Sequence, residues 1–327
     1  RLLKARSLLH IHNGDLEAAW DDLFACHRLG RIAAQDPTLI GALVGIAIDS
    51  VAITGDTFLA AEPRLSEPLA RRILADLQTL GPVTSMAEKL DTGERFMFLD
   101  SVCAVASGRM GFSDLTGNGS AEGMSWVARL AASVFVDWNV SLKMGNVWYD
   151  RIVAAAKLPK HAERAAAYDE INRKIQKMSA EVRDGKTALY GLLAPRAVIS
   201  QQLGNVFVSL LLPAVSAAQD AQDRSTTLTT LNEVSFAVAA HRAKTGSYPA
   251  TLEQVEKETG LRLPHDPFTG KGFRFRREGD GYVVYSLGSN LRDDGGKVYY
   301  LDEGDDGRRV PKEEWDDFRI RVPPEAP

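Results

Sequence analysis

Phe273-Arg274-Phe275-Arg276 and Tyr282-Val283-Val284-Tyr285, with Glu278-Gly279-Asp280-Gly281 between them, form the stretch that decides the fold class. Its first arm alternates apolar and charged residues, its second is aromatic and β-branched, and the link carries two glycines, so the whole reads as a β-hairpin. Val298–Leu301 and Phe318–Val322 are the further strand candidates. Working back from the hairpin, Thr251-x-x-Gln254 is a capping box that opens a short helix ending at Gly260, with Pro264 as a stop. Before about residue 223 almost every segment has helical periodicity. The fold class is therefore α+β. An all-α helical array over residues 1–196 is followed, over residues 197–327, by a long helix through about Ala197–Thr245, a short helix and a small antiparallel sheet.

Within the array, Leu16, Ala19, Trp20 and Leu23 share one face after the turn Asn13-Gly14 and the cap Asp15. Asp36-Pro37 opens the next helix, whose stripe of Ile40, Leu43, Val44, Ala47, Ile48 and Val51 calls for a helical partner. Further helices are expected at Glu67–Leu80, Thr84–Ala106, Trp126–Leu158 and His161–Val182, and the five glycines from Gly108 to Gly123 mark a loop. The uncharged run Ala197–Gln219 is about long enough to cross a bilayer. It contains Gln201, Gln202, Asn205 and Pro213, which favours a buried helix in a soluble protein.

A length of 327 residues suggests about two domains. Apolar residues at 45% and charged residues at 25% exclude wholesale disorder. The net charge of −4 argues against a nucleic-acid partner held by phosphate neutralisation. That negative excess is local, because Ser286–Pro327 holds 11 acidic and 7 basic residues. Cys26 and Cys103 make no metal or disulfide pattern and read as buried thiols. The six histidines lack zinc spacing, and His241 continues the packing stripe of Leu231, Val234 and Val238. Gly185-Lys186-Thr187 lacks the earlier glycine of a phosphate loop. The adjacent acids Asp21-Asp22 and Asp316-Asp317 read as solvated surface.

The order and spacing of His241-Arg242-Ala243-Lys244-Thr245-Gly246-Ser247-Tyr248-Pro249, Leu252, Asp266-Pro267-Phe268-Thr269-Gly270-Lys271, Tyr285-Ser286-Leu287-Gly288-Ser289-Asn290 and Asp293-Asp294-Gly295-Gly296 carry a resemblance. Over roughly residues 198–301 the chain resembles the globular part of type II secretion pseudopilins, especially the major pseudopilin. The resemblance implies a long helix, a short helix and a small sheet whose Ser-x-Gly-x-Asp loop can bind calcium. Tyr190–Arg196 holds no prepilin cleavage motif, so assembly as a standard pilin subunit is not expected.

Calcium takes six to eight oxygen ligands on a tightly turning backbone. Asn290, Asp293, Asp294 and Asp302 are the candidate ligands, with Asp305 and Asp306 nearby, and Asn290 stands where the resemblance places an aspartate. The alternative is that the Asp-Gly pairs only make turns and leave their carboxylates solvated. Together these readings point to a non-catalytic structural or interaction protein of the periplasm or cell envelope, with room for a membrane anchor upstream of Arg1 and an unidentified protein partner. A hydrolase with its site between the domains is the alternative.

Overall fold

The computed structural model describes residues 1–110, 136–183, 195–299, 302, 311 and 315–324. Most of the glycine-rich segment, Gly185-Lys186-Thr187, and the acids Asp305 and Asp306 lie outside them. The chain starts with α1 (Leu2–Asn13), α2 (Leu16–Ala33), α3 (Leu39–Ala61) and α4 (Glu67–Leu80). Helix α2 begins where Asp15 accepts the Ala18 N–H, and α1 ends at left-handed Gly14. The helix expected at Thr84–Ala106 is α5 (Met86–Lys89) and α6 (Arg95–Ala106), joined by a single π-helical turn, Leu90–Glu94. The Glu94 side chain in that turn accepts the Leu39 N–H at 2.9 Å, capping α3 from outside. After α7 (Trp138–Ala156) and α8 (His161–Arg183) comes α9 (Pro195–Thr245), a helix of 51 residues.

The second fold element is small. Helix α10 (Leu252–Thr259) is capped by Thr251 and closed by left-handed Gly260. Strands β1 (Arg274–Glu278), β2 (Gly281–Ser286) and β3 (Phe318–Val322) form one antiparallel sheet in the order β1-β2-β3. The hairpin pairs Glu278 with Gly281 across a two-residue turn, and Tyr282 with Val322 on the other side. Of the strand expected at Val298–Leu301, residues 300 and 301 lie outside the described residues, and Val298 makes one isolated bridge, to Asp316. The molecule is thus mostly helical with a three-stranded antiparallel sheet, which is α+β at the coarse level.

Three of the hydrophobic cores draw side chains from both sides of residue 197, and two of these centre on Leu231–Ala240 of α9. One packs Trp20, Leu23, Leu59 and Ile73 of the array against Phe236, Ala239 and Ala240 of α9. The other joins Ile53 and Leu74 to Leu231, Val234 and Val238 of α9 and to Tyr282, Val284 and Ile320 of the sheet.

Helix α3 corrects the expected stripe. Ile40, Leu43 and Val44 are 73, 39 and 47% exposed, while Leu39, Ala42, Ile46, Ile53 and Leu59 are buried. The helix is apolar all round, so periodicity alone does not choose its inner face. Small residues and paired charges choose it. Gly30 of α2 and Gly45 of α3 meet so closely that a Cβ on Gly45 would sit 2.6 Å from the Gly30 carbonyl oxygen. Cys103 is also exposed rather than buried, whereas Cys26 is buried.

The same inner face carries Asp49 and Asp56, both fully buried. His27 of α2 bridges them, with Nδ1 2.6 Å from Asp49 and Nε2 2.8 Å from Asp56. Arg31 also pairs with Asp49, and Asn232 of α9 donates to Asp56 at 2.6 Å. Burial alone drives the imidazolium pKa down, but the two carboxylates outweigh it and lift His27 to about 9.

Because Gly45 touches backbone, Gly45→Ala is expected to cost about 1–3 kcal/mol by overpacking, while Val44→Ser on the outer face stays within about 0.5 kcal/mol, both read by urea unfolding. Since His27 titrates higher when folded than unfolded, its stabilisation is complete below about pH 6.5 and fades as pH rises through about 9. A melting temperature that falls between about pH 6.5 and 9 is expected, and His27→Gln should be less stable by roughly 3–5 kcal/mol and lack that fall.

Candidate metal centre

Strand β2 delivers Ser286 into a loop that reaches Gly296, and the chain returns through Asp316-Asp317 into β3. The base of the loop is fixed first. Asp266, 2% exposed, accepts the Ser286 hydroxyl at 2.8 Å and the Phe268 N–H at 3.0 Å, tying the Asp266–Lys271 turn to the end of β2. Gly288 has φ +62°, and any Cβ there would collide with the Asp316 carbonyl. The loop therefore presses directly on the segment that leads into β3.

That contact orders two acids. Asp316 Oδ2 accepts the Ser289 N–H at 2.8 Å, the Ser289 hydroxyl at 2.5 Å and the Asn290 N–H at 2.9 Å. Asp317 Oδ2 accepts the Gly296 N–H at 2.7 Å. The other oxygen of each, Asp316 Oδ1 and Asp317 Oδ1, is buried without a hydrogen-bond partner among the described residues. Asp294 completes the group: one carboxylate oxygen from each of Asp294, Asp316 and Asp317 lies within 4.8 Å of the others. Its side chain is 5% exposed, with Arg292 3.8 Å away and Asn290 Nδ2 donating at 3.4 Å.

Among the described residues, these three buried carboxylates have one ion pair between them, Asp294 with Arg292 at 3.8 Å. Desolvation, followed by repulsion from Asp294, Asp293 and Asp316, lifts the Asp317 pKa to about 7, against the Gly296 N–H that favours its charge. A divalent cation would relieve both penalties by meeting the partnerless oxygens. The donor set is all oxygen and three-fold anionic, which fits a hard ion such as calcium and not zinc.

Of the four residues named from sequence, only Asp294 belongs to this group. Asn290 contributes through its backbone N–H, and its side-chain oxygen accepts from Arg292 N at 2.6 Å. Asp293 Oδ1 accepts the Tyr285 hydroxyl at 2.9 Å and the Gly295 N–H at 3.1 Å. Asp302 accepts from Arg319 and from the Val298 N–H, each at 2.6 Å. Asp316 and Asp317, read from sequence as solvated, are 3 and 0% exposed. Adjacent acids in a regular strand would point apart. Here they stand just before β3, with Asp316 in an isolated bridge and Asp317 outside any strand, so their oxygens converge. Their place four residues or fewer from the strand Phe318–Val322, facing Asp-Asp-Gly-Gly, was the available signal.

No family model matches this chain, and neither a curated protein nor a solved structure is found to match it.

In chelator, the raised Asp317 pKa contributes stability that is complete below about pH 3.8 and lost as pH rises through about 7. Asp317→Asn keeps an acceptor for Gly296 and removes the repulsion. At pH 8 in chelator this variant is expected to melt above the unsubstituted protein, and a lower melting temperature would count against the charge imbalance.

Proposed function

We propose that this chain is a non-catalytic structural or interaction protein of the cell envelope whose pseudopilin-like C-terminal segment is locked by a bound calcium ion. The observation that carries the reading is the convergence of Asp294, Asp316 and Asp317, with two buried oxygens that have no partner among the described residues. Burial argues for an ion over a substrate: Asp316 and Asp317 are enclosed by the loop they anchor, which leaves little route for an organic molecule to a catalytic carboxylate. The order of elements supports the resemblance: a long helix, Tyr248-Pro249, a capped short helix, the Asp266–Lys271 turn, then an antiparallel hairpin.

In this reading the ion's role is mechanical. It would bridge the Asp294 loop to the entry of β3, joining segments that otherwise meet through like charges. A surface so fixed can present the adjoining loop to a protein partner without paying for its ordering at the moment of contact.

Titrating the full chain with calcium chloride tests the reading. A ligand bound only by the folded state at about a hundred times its dissociation constant adds roughly 2.7 kcal/mol. Millimolar calcium is thus expected to raise the melting temperature by several degrees over chelator at pH 8, with a smaller gain at pH 5, where Asp317 is protonated. Magnesium, which demands tighter octahedral geometry, should shift it less. Asp294→Asn and Asp317→Asn should lose the response. Equal melting temperatures in calcium and chelator would overturn the proposal.

A further inference from the structure

Between the end of α4, the turn Gly81-Pro82-Val83 and the middle of α9 lies a cleft of about 230 Å3. Gln78, Gly81, Pro82 and Thr226 line it and are exposed, so solvent reaches it directly. Its acid is Glu233, half-buried, which pairs with no cation among the described residues. Burial lifts the Glu233 pKa above the usual carboxylate range, against the Gln78 side chain that donates to it. Arg31 reaches the Gly81 carbonyl at 3.3 Å, but its charge is matched to Asp49. No basic side chain lines the cleft among the described residues.

The other polar groups facing the cleft also lack hydrogens to give. A hydroxyl has one hydrogen and two lone pairs. Thr229 gives its hydrogen to Asp49 Oδ2 at 3.3 Å, and Thr230 gives its own to the Thr226 carbonyl at 2.7 Å. What each has left is lone pairs. Helix α4 adds the negative end of its dipole, because it stops at Gly81 with no basic residue in its last turn. Pro82, next in the chain, has no N–H to offer those carbonyls. A carboxylate, two hydroxyl oxygens and a helix C-terminus thus call for a positively charged donor.

The remaining wall narrows the choice. Leu77, Pro82 and Val83 give the cleft an apolar side. A bare metal ion would find one carboxylate and no use for that side. An anion would be repelled, and an alcohol brings a single hydrogen. Thr229 and Thr230 stand four and three residues before Glu233 on one helix, so the three acceptors surround a point and do not lie along one edge. That suits the three diverging hydrogens of an ammonium better than a planar guanidinium. We propose that this cleft is a binding site for a primary alkylammonium, its head on Glu233, Thr229 and Thr230 and its chain against Leu77, Pro82 and Val83. It shares no residue with the Asp294, Asp316 and Asp317 group, so it stands apart from the calcium reading.

The test titrates the full chain, in amine-free phosphate buffer with chelator at about pH 7, with n-butylamine and with Nα-acetyl-lysinamide, followed by saturation-transfer NMR and calorimetry. Saturable binding is expected in the millimolar range, as a single charge-assisted contact gives, so each is carried to about 50 mM. Butylamine binding alone would name a free amine as the ligand. Equal or tighter binding of the lysine derivative would name a lysine side chain. 1-Butanol, the neutral analogue, should bind at least about tenfold more weakly, and propylguanidine more weakly than butylamine. Glu233→Gln keeps an acceptor for Gln78 and removes the charge. It should weaken amine binding about tenfold without lowering the melting temperature, since no ion pair is lost. Thr230→Val, which removes one acceptor, should weaken it about fivefold and serves as the check if Glu233→Gln does not fold. No saturable binding of either amine, butanol binding as well as butylamine, propylguanidine binding more tightly, or amine binding unchanged in a folded variant overturns the proposal.

Discussion

Helix α9 has no solvent face where it matters most. From Leu231 to His241 nearly every residue is buried, because one side meets the helical array and the other meets the sheet. Phe236, Ala239 and Ala240 close the core around Trp20, and Leu231, Val234 and Val238 close the core under Tyr282 and Ile320. A helix enclosed in this way must satisfy its polar residues internally. Asn232 donates to Asp56, and the Ser235 carbonyl accepts the Tyr282 hydroxyl at 3.3 Å. The hydrophobic effect thus binds both halves to one rod, and each core is incomplete without it.

The molecule buries two groups of carboxylates and treats them oppositely. Asp49 and Asp56 are answered from two other helices by His27, Arg31 and Asn232. Asp316 and Asp317 are answered by N–H groups and one hydroxyl, beside a third acid. In the first group the charges largely cancel within the fold; in the second the excess is negative. Residue type is the same in both, and the difference lies in what the neighbouring backbone brings near.

That difference also marks what the sequence could tell. The hairpin was legible because a period of two and a glycine-bearing turn have few other readings, and α10 because its cap and stop are both local. The inner face of α3 was not, since a helix apolar on every side gives no phase; the face was chosen by Gly30, Gly45 and a histidine far off in the chain. Of the carboxylate group, Asp294 was legible from its glycine-flanked loop. Asp316 and Asp317 were not, because their convergence depends on the chain leaving regular geometry just before β3, and periodicity assumes that it stays regular.

The length of α9 has a consequence for shape. At 1.5 Å per residue its 51 residues extend about 76 Å, nearly four times the radius of gyration of about 20 Å expected for a compact chain of this size. An axis of that length holds its own two ends at a fixed reach that no flexible linker could keep.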